Sequence, residues 1–123
     1  MTFTRRLALI TGAAALATAG TAAAHHGWAG YGDEDFALTG RVVSADFAGP
    51  HGEMRVQGQG GTWLVVLGPR SRNDRAGLNA SVVPAGTTVT ARGHRHRDPR
   101  QLEMKTERLV VGGRTYDIYP DRT

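Results

Sequence analysis

The chain has 123 residues, which suits one small domain. It carries 15 Lys+Arg against 11 Asp+Glu and no cysteine, so disulfides and thiolate metal sites are excluded. Two of those cations, Arg5 and Arg6, sit in an apolar amino-terminal stretch. Without them the balance is 13 against 11, a surplus of +2, too weak to imply nucleic acid or an anionic membrane surface as partner.

Residues 1–24 carry the three parts of a cleavable secretory signal. Arg5 and Arg6 form the positive region. Leu7 to Ala19 is an apolar run of 13 residues, shorter than the about 20 a membrane-spanning helix needs. Ala22 and Ala24 fit an A-x-A cleavage pattern, with the cut before His25 or one residue earlier, before Ala24. Thr4-Arg5-Arg6 raises the twin-arginine route, but Ala8 stands where that route prefers a bulky apolar residue, which favours the general secretory route. The expectation is a periplasmic or secreted protein with no stable membrane insertion after cleavage.

Residues 25–35 contain Gly27, Gly30 and Gly32 and the acids Asp33, Glu34 and Asp35. They read as a flexible arm whose acids could supply oxygen ligands to an ion but read better as simply exposed, with Trp28 as the ring that anchors it. The barrel domain spans residues 36–120. Phe36 to Phe47 reads as a first strand, Gly49-Pro50-His51-Gly52 as a turn, Glu53 to Gln57 as a second strand and Thr62 to Leu67 as a third, buried on both faces. Ser71 is the expected cap of a short helix reaching Leu78. Thr87 to Arg92 and Leu102 to Val111 follow as strands, and Gly112-Gly113 turns the chain into a sixth, Arg114 to Tyr119. Three strands, a short helix and two or three further strands suit an all-β, OB-like Greek-key barrel, with a small open sandwich as the rival.

The five histidines carry the functional signal. An N-terminal His25 offers its α-amine and Nδ1 to one ion as a chelate. If the cut falls before Ala24, His26 is the third residue, and amine, amides and imidazole can surround a square-planar ion. Nitrogen donors of this kind suit Cu(II), which heads the divalent affinity series. His51, fixed after Pro50, is the third expected ligand. His94 and His96, two apart, face one side if the strand continues, but Arg92, Arg95, Arg97 and Arg100 surround them and oppose a cation. That segment reads better as a solvated loop or, through Arg95 and Arg97, as an anion contact. Met54 and Met104 read as core rather than as Cu(I) ligands. No G-x-S-x-G, H-E-x-x-H or phosphate-binding glycine loop is present, so the chain is not read as an enzyme.

Ala24-His25-His26, Pro50-His51, Gly68-Pro69 and Pro84 with Gly86 resemble the pattern of a widespread set of small exported bacterial proteins, domain of unknown function 6152. The resemblance covers residues 24–111. Gly49 stands where that pattern has Asn, and His94 and His96 lie outside it. The resemblance implies export and a β-barrel-like fold, supplies no activity, and selects His25, His26 and His51. The expected function is therefore an exported copper-binding module. The alternative is an envelope module that binds a protein or small ligand without metal, and a copper oxygenase ranks third.

Overall fold

The computed structural model describes residues 27–122. The described residues form six strands and one short α-helix in the order β1 (Phe36–Asp46), β2 (His51–Gly58), β3 (Gly61–Pro69), α1 (Arg70–Ala76), β4 (Thr88–Arg95), β5 (Glu103–Val111) and β6 (Arg114–Asp117), followed by a 3-10 turn at Pro120–Arg122. Strand β1 pairs with β2 and β4, β2 with β3, and β4 with β5, all antiparallel. A parallel contact of Leu64–Val66 with Glu103–Lys105 closes the ring. The circuit β1-β2-β3-β5-β4 is a closed five-stranded barrel of OB topology, with the helix between strands 3 and 4. The second half of β5 pairs with β6, the strand outside the ring.

Alternation explains the inside of the barrel. Met54 and Val56 point inward between exposed Glu53, Arg55 and Gln57. Trp63, Val65 and Leu67 do the same on β3, and Leu38, Ala91, Met104 and Leu109 complete the core. Leu64 and Val66, on the outer face of β3, are half-buried, which is why that strand reads as a continuous apolar run.

Three of the differences from the sequence expectation have a clear physical cause. Strand β2 starts at His51, opposite Pro69, so His51 is a strand residue rather than the tip of a turn. Helix α1 starts at Arg70 with Pro69 at its cap position and no side-chain cap, so Ser71 lies inside it. The helix is docked instead by Asn73, whose amide exchanges two hydrogen bonds with the Gly68 backbone, at 3.0 and 2.8 Å. Strand β4 continues past Arg92 to Arg95, carrying His94 into the ladder. Gly93 permits this: a Cβ there would collide with the Lys105 carbonyl oxygen. The β4–β5 register shifts between Arg92 and Gly93, from Arg92↔Arg108 to Gly93↔Thr106, and Glu107 is left without a partner across the shift. This is a β-bulge, the device that re-aims a side chain at the edge of a regular ladder.

Candidate metal centre

Residues 27–35 form an irregular strap over the outer face of β4 and β5. Gly32 N–H donates to the Arg95 carbonyl and Arg97 N–H to the Gly30 carbonyl, both at 2.9 Å. Tyr31 makes an isolated bridge to His96, and its hydroxyl donates to Glu103 Oε2 at 2.7 Å. Burial, that hydrogen bond and the negative charges of Glu103 and Glu53 push the Tyr31 hydroxyl well above the ordinary tyrosine range. Lys105 Nζ donates to the Gly27 carbonyl at 2.7 Å. Burial, and then the like charge of Arg122, holds this ammonium below the usual lysine value.

Trp28 is the centre of the strap. Its ring lies edge-on to Tyr119 at 5.2 Å and to His94 at 5.9 Å. The Arg122 guanidinium stacks on it at 3.7 Å and Lys105 Nζ lies 4.7 Å from its centroid. Both contacts are in cation–π range.

Under Trp28 the bulge brings three potential ligands together. Asp35, His94 and Glu107 each offer one atom, all within 4.8 Å of one another. His94 is 7% exposed and Glu107 8%, whereas Asp35 is exposed at the end of the strap. His94 Nδ1 lies 3.0 Å from the Glu34 carbonyl oxygen, a contact that makes Nδ1 a donor and turns Nε2 toward the opposite side of the ring. Nε2 faces Glu107 Oε1 at 3.4 Å. The other carboxylate oxygen, Oε2, accepts from Arg122 Nε at 3.2 Å. One oxygen is thus held by the protein while the other is turned toward the imidazole. The buried pair lies 3.4 Å apart, and the exposed Asp35 carboxylate is within 4.8 Å of both.

The other candidate residues fall elsewhere. His25 and His26 lie outside the described residues. His51 is exposed, at the start of β2. His96 turns away from His94, and its Nδ1 accepts from the Asp98 N–H at 3.0 Å. Arg95 lies over Trp63 at 4.9 Å and Phe36 at 5.5 Å, capping one end of the barrel. Arg97 Nε donates to the Ala29 carbonyl at 2.9 Å, and Arg97 Nη2 lies 3.8 Å from Asp33. Both arginines are engaged by the chain itself. Sequence reasoning ranked His94 low, placed Asp35 among exposed acids and did not single out Glu107.

Fold and site together define a small closed β-barrel of OB topology with an imidazole–dicarboxylate cluster on its outer face. A family model covering residues 14–105 matches the chain, and the chain belongs to that family, described as a family of unknown function, DUF6152. No curated protein matches it. Among solved structures it is similar to the crystal structure of the ZRD-deleted mutant of TiaS in complex with agmatine, at 14% identity and a TM-score of 0.51, over 69% of this chain and 26% of that one. A complex of TiaS with its tRNA and ATP aligns at 18% identity and a TM-score of 0.49, over 63% of this chain and 18% of that one. The chain thus spans about a quarter or less of those proteins, and the likeness is one of fold.

Proposed function

We propose that this chain is an exported metal-binding module of the bacterial envelope, with copper as its ion, and that it holds rather than transforms what it binds. The observation that carries the reading is the His94 imidazole, clasped at Nδ1 by a backbone carbonyl and facing Glu107 through Nε2, with Asp35 in the same cluster. An imidazole with two carboxylates suits a divalent transition ion, and Cu(II) binds such donors most tightly in the first-row series. Residues 1–24 carry the export pattern, and export exposes a chain end rich in nitrogen donors.

His25 and His26, with His51, form a second, outer site in this reading. Strand register supports it. Gly27 is held at Lys105, Lys105 is opposite Val66, and Val66 is opposite Glu53, two residues from His51. Strand spacing then separates the Lys105 and His51 Cα atoms by roughly 12 Å.

Calorimetric titration of the processed protein with Cu(II), with electron paramagnetic resonance on the same sample, tests the reading. Two classes of site are expected. His94→Ala removes the inner one and His25→Ala weakens the outer one. Affinity no tighter than micromolar, or titrations unchanged by both substitutions, would sink the proposal.

A further inference from the structure

Beside the cluster lies an open cleft of about 360 Å³ whose lining includes Asp35, Ala37, Glu107 and three arginines, Arg92, Arg108 and Arg122. The strand register dictates its composition. Ala37 on β1, Arg92 on β4, Arg108 on β5 and Asp117 on β6 form one row across the sheet. The small Ala37 side chain leaves room at one end of the row, and the bulge at Glu107 opens space beside it.

Two features of the arginines call for a ligand. Arg92 stands directly opposite Arg108, and like charges facing each other across adjacent strands are destabilising. Asp117 offsets only Arg108, whose Nε donates to it at 3.0 Å. Arg92 has no ion-pair partner among the described residues. The second feature is how the others are held. Arg108 and Arg122 are each fixed through Nε, Arg122 with its face also stacked on Trp28. Their terminal Nη groups make no hydrogen bond to any described residue. A guanidinium held by its Nε and its face, with the Nη edge free, is oriented for two-point recognition of an oxyanion.

We infer that this cleft binds a small oxyanion, a carboxylate or a phosphate, between Arg92, Arg108 and Arg122, next to the ion at Asp35–His94–Glu107. The coupling to the ion rests on the metal-binding reading; the arginine site does not. Without an ion, the Asp35 and Glu107 carboxylates repel the ligand. A divalent ion neutralises them, so ion and oxyanion strengthen each other by the same factor. The cleft then gives the module a means of taking its ion together with a small anionic carrier ligand, rather than as the bare cation.

The probes are inorganic phosphate and malonate, titrated into the processed protein and followed by the amide resonances of Ala37 and Gly93. The metal-free wild type is expected to bind both weakly. The double variant Asp35→Asn, Glu107→Gln removes the same two charges that the ion would neutralise, and should bind at least one probe about tenfold more tightly or better. Adding Arg92→Gln to it should reverse most of that gain. A stronger response to malonate assigns the ligand to the carboxylates, and one to phosphate assigns it to the phosphoryl compounds. The Cu(II)-loaded wild type, titrated calorimetrically with phosphate against its Arg92→Gln variant, reads the same difference should the double variant fail to fold. The inference is overturned if neither neutralised form binds a probe more tightly than the metal-free protein, or if Arg92→Gln changes nothing. A double variant that binds the probe, in a protein that takes up no copper, removes the metal reading and leaves the oxyanion cleft. Copper uptake with no oxyanion response does the reverse.

Discussion

Trp28→Ala is the perturbation that best separates the barrel from the strap that completes its site. Trp28 is largely buried, packed against the core and against Tyr119 and His94. An indole so placed buries on the order of 150 Å² and contributes about 3 kcal/mol net of what alanine retains. The Arg122 and Lys105 contacts add about 1 kcal/mol together. The barrel closes through β1–β5 without the strap, so the truncation is released locally, by undocking, rather than by global unfolding. Each 1.4 kcal/mol is a factor of ten, so the equilibrium constant for docking the strap falls by roughly 500- to 1,000-fold. Native-state hydrogen exchange reads this directly. The amides of Tyr31, Gly32 and Arg97, bonded to Trp28, Arg95 and Gly30 respectively, should lose protection. The Leu64 amide, bonded to Leu102 within the barrel, should keep it. Copper affinity at the inner site should drop about tenfold or more, because the Glu34 carbonyl that orients His94 leaves with the strap. Unchanged protection at Tyr31 and Gly32, together with unchanged affinity, would refute the view that the strap builds the site.

Two further substitutions test the account of the fold. Asn73→Ala leaves the Gly68 N–H and carbonyl unpaired in a buried position, and should cost about 2–4 kcal/mol in urea unfolding with little change in m-value; a loss under about 0.5 kcal/mol would mean that the helix is docked by something else. Tyr31 has its hydroxyl pKa raised in the folded state. In the unfolded chain it ionises near its ordinary value of about 10, so its contribution is present below that pH and lost as pH rises beyond it. Lys105, with a depressed pKa, acts in the opposite sense, stabilising the fold increasingly as pH rises through its folded value. The difference between wild type and Tyr31→Phe isolates the tyrosine: the variant should be the less stable at pH 8 and show a shallower loss of stability above pH 10 in denaturant titrations.

The barrel was legible because most of its signals are local. Alternation in β2, the continuous apolar run of β3, the polar stretch before β4 and the Gly112-Gly113 turn each report one element, and their order points to the closed topology. The boundaries that moved depend on groups distant in sequence. Past Arg92 the apolar alternation of β4 stops, yet the strand continues, because Gly93 lets the Lys105 carbonyl approach and the strap covers the outer face. The helix carries its fastening inside, at Asn73, where the search for a capping residue at its start does not look.

The cluster was harder to see, but one part of it left a trace. Met104 and Leu109 are both core residues five positions apart, an odd spacing that puts them on opposite faces of any regular strand. A bulge must therefore lie between them, and it lets Glu107 stand beside His94. The case against a cation near His94 was the run of arginines around it, and it treated neighbours in sequence as neighbours in space. Arg95 folds onto Trp63 and Phe36, Arg97 reaches back to Ala29 and Asp33, and Arg100 pairs with Asp98 at 3.1 Å. What faces the imidazole instead is Glu107, with Asp35 from the other side of the bulge. The potential at an ion site is set by the few charges within about 5 Å of it, where Coulomb interactions are least screened. The two charges nearest the imidazole are carboxylates, and of the arginines close by in sequence only Arg92 stays beside the cluster, joined there by Arg122, which binds Glu107 at 3.2 Å.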